Sequence, residues 1–357
     1  MKLCPNFFER MARAGALAPS GDNLQPWSFG VDREALVVRH DWQRDRSLFN
    51  VRCLASFIAL GAVLENIVIA ASSEGYRAEI EYLTDAQVQD LIARIRFETG
   101  ATKDPLADFI DKRCTNRKPY AARPLDPETS KGLTRASETF PTIDLSWVQD
   151  KSRLKELAQI IARADRLLFE NPLIHKHLFS TIRWTHEEVE RTRDGLPIGS
   201  LELGHAGSLA FRCLSNWSVV NFLNGFGFSK AAASHSVVLM RRCSAAGLIT
   251  APDTSPQAFL LAGRAFQRLW LQATMENLAL QPMTAVVFLQ LRSRSKNYGA
   301  LTTYQRTVTD DLRRDLEEFF RITKDRVPAM LFRLGSAAAP SRRTMRRSIS
   351  ELFTGDQ

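Results

Sequence analysis

The chain has 357 residues, a length that suggests one large or two ordinary domains. Hydrophobic residues make up 45% and charged residues 24%, values typical of a soluble globular protein with a substantial core. The net charge of +9 is spread along the chain and is dense only at residues 342–347, which favours a solvated face or a phosphate site over a nucleic-acid partner.

The cysteines and the first residues indicate a cytoplasmic protein. The five cysteines are odd in number and show no CxxC spacing, which argues for reduced thiols and against a disulfide frame or a zinc site. Residues 1–6 lack the apolar core of a secretion signal. We therefore expect a cytoplasmic location.

Residues 18–29 are the most informative segment. A turn of Pro, Ser, Gly, Asp and Asn leads through Gln25-Pro26-Trp27 to a strand predicted from Val31 onward. The turn offers a hydroxyl, two side-chain carbonyls and backbone N–H groups at one point, which suits a polar heterocycle. The alternative is a capped helix end followed by an edge-strand proline and a core tryptophan.

This segment resembles the Ser-x-x-Asn-x-Gln-Pro-Trp signature of the FMN-dependent nitroreductase family, in which the loop lies against the flavin. The resemblance implies a nitroreductase-like α+β fold, FMN as cofactor, and NADPH or NADH as a transient electron donor. The residues that it places against the flavin ring system are Pro19, Ser20, Gly21 and Asn23.

Residues 54–71 form the most apolar run of the chain. Glu65 and Asn66 interrupt the run, and no second run of this kind exists, so it predicts a buried central helix and no membrane span. Residues 61–76 align without a gap on residues 263–278, with three identical pairs. Both segments resemble the nitroreductase helix that pairs across the dimer, which implies a duplicated chain carrying a fused dimer.

Residues 113–117 place two arginines on either side of a hydroxyl, a donor set that suits a phosphate. The alternative is a solvated basic stretch. The segment resembles the Arg-Arg-Ser-x-Arg-x-Phe motif of nitroreductases, which implies that Arg113, Thr115 and Arg117 hold the FMN phosphate. The chain before Ala18 has no counterpart, so we expect one complete FMN site and one decayed pseudo-site. Residues 124–128 then lead into a helix predicted around Leu133.

Residues 154–236 are the least ordinary region. Arg183-Trp184 and the later Asp194-Gly-Leu-Pro197 resemble the Acg-like branch of the family, in which one chain is similar to a fused nitroreductase dimer and an inserted segment covers the flavin. Glycines and aromatic residues at 217–228 suit a mobile lid. The alternative is a helical excursion packed on the core.

Two later segments complete the expected flavin site. Residues 278–285 leave the second repeat helix through a proline turn that resembles the family loop presenting backbone N–H groups to flavin N5; an ordinary helix-to-strand turn is the alternative. A strand predicted over residues 327–335 precedes an arginine-rich tail that resembles the family's phosphate-contacting terminus. These segments add Gln281, Pro282, Met283, Thr284, Arg343, Arg346 and Arg347 to the site, with the arginine that meets the phosphate left open.

Two other motifs carry little weight. His175 and His177 lack a third fixed ligand, so a surface helix is a better interpretation than a metal site. No GxGxxG opens a helix after a strand, so a Rossmann site for NAD is not supported.

Together these patterns predict an α+β protein with mixed central sheets flanked by helices, in two pseudo-symmetric halves over residues 1–105 and 106–357. The resemblance implies ping-pong hydride transfer from NAD(P)H through FMN to a nitroaromatic, a quinone or a similar small acceptor, with no catalytic side chain. A lidded flavin-storage protein and a specialised biosynthetic flavin dehydrogenase are the alternatives. We expect a monomer that resembles a fused dimer and that could dimerise further.

Overall fold

The computed structural model describes residues 5–84 and 90–353. The strands are β1 (Trp27–Asp32), β2 (Ala35–His40), β3 (Tyr76–Tyr82), β4 (Leu91–Thr99), β5 (Asp144–Val148), β6 (Ile182–Arg183), β7 (Leu196–Pro197), β8 (Ala245–Ala251), β9 (Ala279–Pro282) and β10 (Val327–Gly335). The helices are α1 (Pro5–Ala16), α2 (Leu54–Ser73), α3 (Pro127–Glu138), α4 (Lys151–Glu170), α5 (Pro172–Ser180), α6 (His186–Thr192), α7 (Gly204–Cys213), α8 (Trp217–Asn224), α9 (Phe228–Arg241), α10 (Pro256–Met275), α11 (Thr284–Arg294), α12 (Thr303–Phe320) and α13 (Ile349–Leu352). The strand predicted at 327–335 and the helix predicted around Leu133 are confirmed.

Two four-stranded sheets share one topology. The first has the order β1-β2-β4-β3 and the second the order β5-β8-β10-β9, with a long helix following the second strand of each half. This repetition confirms an α+β fold in two related halves. Neighbouring strands in both sheets are antiparallel. Among the described residues, the parallel part of the expected mixed pattern is limited to the β6–β7 pair and two isolated bridges.

The central helices α2 and α10 cross at a pair of glycines. They begin at residues 54 and 256 and end at residues 73 and 275, the same offset that aligns the two repeat segments. A Cβ on Gly61 would lie 2.1 Å from the carbonyl oxygen of Leu260, and a Cβ on Gly263 would lie 2.1 Å from that of Ile58. The two contacts are equivalent under the offset, so the helices are related by an approximate two-fold axis.

Polar residues in the middle of α2 face the other half of the molecule. Glu65 is only 1% exposed and pairs with Arg264 at 2.8 Å and Arg268 at 2.7 Å. Asn66 accepts a 2.6 Å hydrogen bond from Gln267. Residues 51–73 are long and apolar enough to cross a membrane, but 78% of their most apolar stretch is buried inside the protein. The prediction of a buried central helix is confirmed.

Each half contributes its trailing segment to the sheet of the other. Thr115, which follows the first sheet, forms a parallel bridge with Leu280 of β9, and Phe353, near the C-terminus, forms one with Phe29 of β1. Both segments also contact the end of α1, since Arg113 and Arg346 each donate to the Leu17 carbonyl. The domain boundary at 105/106 stays a prediction.

The second half contains a large helical insertion. Helices α4 to α9 lie between β5 and β8, where the first half has only the short turn between β1 and β2. The insertion extends slightly beyond the predicted 154–236 at both ends. Its helices include amphipathic ones, which bury one face against the rest of the protein. The insertion therefore also matches the alternative interpretation, a helical segment packed on the core.

Candidate functional site

The loop after α1 has a strained backbone that side chains hold in place. Asp22, Asn23 and Gln25 all have positive φ angles, a conformation that costs about 1–3 kcal/mol per residue unless the surroundings enforce it. The Ser20 hydroxyl accepts a 2.9 Å bond from the Gln25 N–H. The buried Gln25 amide donates to the Arg193 carbonyl at 2.9 Å and accepts from the Arg347 N–H at 2.8 Å. The strand after this loop begins at Trp27, earlier than the predicted Val31, because β1 pairs with β2 along its whole length.

Asn23 joins three distant segments. Its side chain is 4% exposed; the amide nitrogen donates to the carbonyls of Gly195 at 3.0 Å and Met345 at 3.1 Å. The amide oxygen accepts a 2.8 Å bond from Arg346. Contact of Asn23 with a ligand ring stays a prediction, but these bonds already occupy its polar atoms, so it fastens the loop to the helical insertion and to the tail.

The residues predicted from the sequence line two adjoining cavities. The first, cavity A, has a volume of about 650 Å³, and the second, cavity B, about 740 Å³. They share Asp22, Arg117 and Leu196. Cavity A is lined by the predicted residues Pro19, Ser20, Asn23, Arg113, Thr115, Arg117, Arg343, Arg346 and Arg347. Cavity B is lined by the predicted residues Gly21, Arg117, Gln281, Pro282, Met283 and Thr284, together with residues of the helical insertion.

Arg113 is a buried cation at the wall of cavity A. It is 5% exposed, and its guanidinium lies 4.4 Å from the centre of the Trp270 ring. One Nη donates to the Leu17 carbonyl at 3.0 Å, whereas the buried Nε has no partner among the described residues. Burial, with the nearby charges of Arg346 and Arg343, lowers the pKa of Arg113 to about 9.

The tail adds three arginines to this wall. Arg346 also has a buried Nε without a described partner, and burial, with the charge of Arg343, lowers its pKa to about 10. Arg343 donates to the carbonyls of Asp111 at 2.6 Å and Arg113 at 3.0 Å. Arg347 pairs with Glu351 at 3.3 Å, so its charge is partly neutralised.

Cavity A therefore contains uncompensated positive charge. Within residues 5–84 and 90–353, no carboxylate pairs within 4 Å with Arg113, Arg117, Arg343 or Arg346. A buried charge without a partner costs several kcal/mol, and an anion with several acceptor oxygens would relieve that cost. The arginine side chains and the Thr115 hydroxyl along this wall fit a phosphate group.

The start of α11 supplies donors to cavity B. The N–H of Met283 is already bonded to the Leu331 carbonyl at 2.8 Å. In the loop that was predicted to present backbone N–H groups to flavin N5, this N–H is therefore not available to a ligand. Helix α11 begins at Thr284 without a side-chain cap, and its first-turn N–H groups lack intrahelical partners. Behind them, Gln281 accepts a 2.8 Å bond from the buried Arg333. The helix start is thus a rigid, electropositive part of the wall.

Cavity B also has acidic groups. Asp22 accepts a 3.1 Å bond from His177; burial acts to lower the pKa of His177, but Asp22 and Asp45 outweigh it and hold that pKa above its usual value. Burial raises the pKa of Asp45. Burial also raises the pKa of Asp165 to about 6, against a hydrogen bond from the Ser236 hydroxyl.

Several lining residues were not predicted from the sequence. They are Arg13 and Arg193 in cavity A, and Asp45, Asp165 and His177 in cavity B. Arg193 directly precedes the Asp-Gly-Leu-Pro motif, which could have indicated it, whereas the two acids carry no local signal. The described ranges contain no group of three or more His, Cys, Asp or Glu side chains that could hold a metal ion.

Asp165 should give the stability of the ligand-free protein a measurable pH dependence. Its pKa is about 6 in the folded state and 3.8 as the ordinary value, so folding favours the protonated form. The free energy of unfolding should fall as pH rises from about 4 through 6, and Asp165→Asn should remove that fall. Urea titrations between pH 4 and 7 would measure it, with exposed Glu156→Gln on the same helix as the control. Parallel pH profiles of the wild type and Asp165→Asn would contradict this assignment.

No family model matches the chain. A protein of Mycobacterium tuberculosis (strain CDC 1551 / Oshkosh) described as uncharacterized protein MT1398 is 26% identical over 350 residues. The match includes 96% of this chain and 48% of that protein, so the chain spans about half the length of this relative.

Solved structures give weaker likenesses. The FMN-dependent nitroreductase NfnB of Mycobacterium smegmatis, solved with NADPH, is 12% identical, with a TM-score of 0.40 over 71% of this chain and 98% of its own. A nitroreductase of Bacteroides fragilis with bound FMN is 10% identical, with a TM-score of 0.36 over 66% of this chain and 90% of its own. Likenesses this low decide nothing about activity. Both proteins are nitroreductases by description, and about two thirds of this chain aligns with nearly all of each.

Proposed function

We propose that the protein is an FMN-dependent oxidoreductase with one flavin site per chain. The observation that supports it best is the convergence of all fourteen residues predicted from the nitroreductase resemblance on two adjoining cavities. These residues come from segments more than 300 positions apart in the chain. The uncompensated arginines of cavity A are independent support, because they require an anion whatever the resemblance implies.

The residues present fit FMN. Its phosphate would be held by Arg113, Arg346 and Thr115, which line cavity A. Its ring system would lie toward Arg117 and the loop at residues 19–23, which border both cavities. Each cavity has a volume within the range of pockets for drug-sized ligands, so a flavin in one leaves room for a substrate in the other.

The chain positions the reactants and shapes the electrostatics of the site. When bound, FMN supplies hydride transfer from NADPH or NADH to an acceptor such as a nitroaromatic or a quinone. The first-turn N–H groups of α11 stabilise negative charge at the wall of cavity B. Helices of the insertion form part of the wall of that cavity. The His177–Asp22 pair holds a proton where the two cavities meet.

A specialised flavin dehydrogenase is the second candidate. Cavity B favours it, because a cleft with a few polar groups among apolar walls suits one particular substrate. A storage protein would need no such pocket. We also propose that the chain is a monomer, since the central helix pair forms within one chain. We further propose that it acts in the cytoplasm.

The purified protein should be yellow, and its colour should bleach when NADPH or NADH is added without oxygen. Flavin absorbance after heat release should give one FMN per chain, because the phosphate motif occurs once. A protein that binds no flavin would contradict the proposed function. Two flavins per chain would show an intact second site, and a flavin that neither nicotinamide bleaches would favour storage.

A further inference from the structure

Cavity B has an excess of negative charge in a mostly apolar wall. Its apolar lining includes Leu168, Phe169, Phe211 and Phe228, and all four belong to the helical insertion. The carboxylates of Asp45 and Asp165 also line this space. In its charged side chains cavity B is therefore the opposite of cavity A, where arginines lack acidic partners, although the start of α11 keeps one part of its wall electropositive.

Asp45 is the better buried of these two acids. It is 8% exposed, and among the described residues its carboxylate receives hydrogen bonds only from Ser47, one of them from the backbone N–H at 3.1 Å. Within the described part of the chain no arginine, lysine or histidine pairs with it within 4 Å. Burial raises its pKa, as expected for a carboxylate that lacks a cation.

Asp165 approaches the cavity from helix α4. It accepts a hydrogen bond from the Ser236 hydroxyl on α9, and the described residues again provide no ion pair. Its pKa of about 6 leaves the carboxylate largely ionised above neutral pH. One hydroxyl does not neutralise a charge in so apolar a setting.

The basic groups that line cavity B do not neutralise these acids. His177 is already bonded to Asp22 at 3.1 Å. Burial, with the charge of Arg333, lowers the pKa of His235 and favours its neutral form. Arg117 donates to the Ser200 carbonyl at 3.3 Å, and it also borders cavity A. Two carboxylates therefore remain for a ligand, and the chemistry they would recognise is that of a cation with N–H donors.

We propose that cavity B binds a largely apolar small molecule that carries a protonated amine, with Asp45 and Asp165 accepting its N–H groups. The claim that this molecule is the substrate rests on the proposed function. The claim that it binds to cavity B is independent of that function. The apolar part of the ligand would pack against Phe169, Phe211 and Phe228. The two carboxylates would exclude anionic molecules of the same shape.

Three probes of one shape test the proposal without any substitution. Calorimetric titration of the purified protein at pH 8 would compare 4-phenylbutylamine, 4-phenylbutan-1-ol and 4-phenylbutanoate. The amine should bind at least about tenfold more tightly than the alcohol, the effect of one or more charge-assisted hydrogen bonds. The carboxylate should bind most weakly. Equal binding of all three, tighter binding of the carboxylate, or no binding of the amine would overturn the proposal.

Isosteric variants then locate the effect. Asp45→Asn and Asp165→Asn should each weaken amine binding about tenfold and leave alcohol binding unchanged, which also shows that the cavity remains folded. Glu156→Gln removes a charge from the exposed face of α4 and should change neither. Wild-type affinity for the amine in both Asp variants would place the ligand elsewhere and overturn the proposal.

FMN content, measured in the same samples, separates the two proposals. A protein that binds the amine but no flavin would contradict the proposed function and leave this inference standing. A flavin-loaded protein that does not prefer the amine would overturn the inference alone.

Discussion

Replacement of Arg113 by methionine should abolish most FMN binding and leave the flavin-free protein at least as stable as the wild type. Arg113 contributes charge-assisted bonds to a phosphate, so its loss should weaken FMN about tenfold to a hundredfold. In the free protein the same residue is a buried cation without an acidic partner among the described residues. An apolar side chain of similar length removes that cost and keeps contact with Trp270. Fluorescence titration with FMN and thermal unfolding of both forms would measure the two effects.

Riboflavin, which lacks the phosphate, is the matched ligand. Its affinity should be nearly equal in the wild type and in Arg113→Met, because the substitution removes only the phosphate partner. Arg96→Met, at an exposed position on β4, should alter neither ligand. If Arg113→Met weakens riboflavin as much as FMN, or destabilises the flavin-free protein by several kcal/mol, Arg113 has a structural role and cavity A is not its phosphate site.

Gly263→Ala should destabilise the fold by about 3 kcal/mol or more. The added methyl group would lie 2.1 Å from the Ile58 carbonyl oxygen, a backbone atom that cannot rotate away. Helices α2 and α10 would have to separate, and overpacking of this kind costs about 1–3 kcal/mol, with more where backbones collide. Gly61→Ala should cost a similar amount, since Gly61 makes the equivalent contact with Leu260. Urea unfolding of the flavin-free variants would give these differences.

Gly132→Ala is the control for helix glycines. It lies within α3, and the nearest atom to an added Cβ is 3.5 Å away, so the change should stabilise the protein by about 0.5–1 kcal/mol. The double variant of Gly61 and Gly263 should cost less than the two single changes added together, because one separation of the helices makes room for both methyl groups. Additive costs, or a Gly263→Ala variant as stable as the wild type, would contradict the two-fold crossing.

The sequence by itself determined the repeat and the positions of the site. The gapless alignment of two apolar segments identified α2 and α10, because a helix that needs close contact at a fixed point keeps a small residue there. Short motifs identified the loop at residues 19–23, the arginines that line cavity A and the start of α11, because a turn or a helix end depends on neighbours a few residues away.

Only the tertiary structure decided which of these groups are free to act. Asn23 resembles a ligand contact in the sequence, but Gly195, Met345 and Arg346, each more than 170 residues away, occupy its amide. The Met283 N–H is likewise taken by Leu331 of another strand. Arg113 and Asp45 are charged side chains that lack an oppositely charged partner among the described residues. This too is decided by the tertiary structure, because the segments that fold against a side chain from elsewhere in the chain set its partners and its burial. Local patterns cannot encode those distances, so the electrostatics of both cavities are a property of the fold.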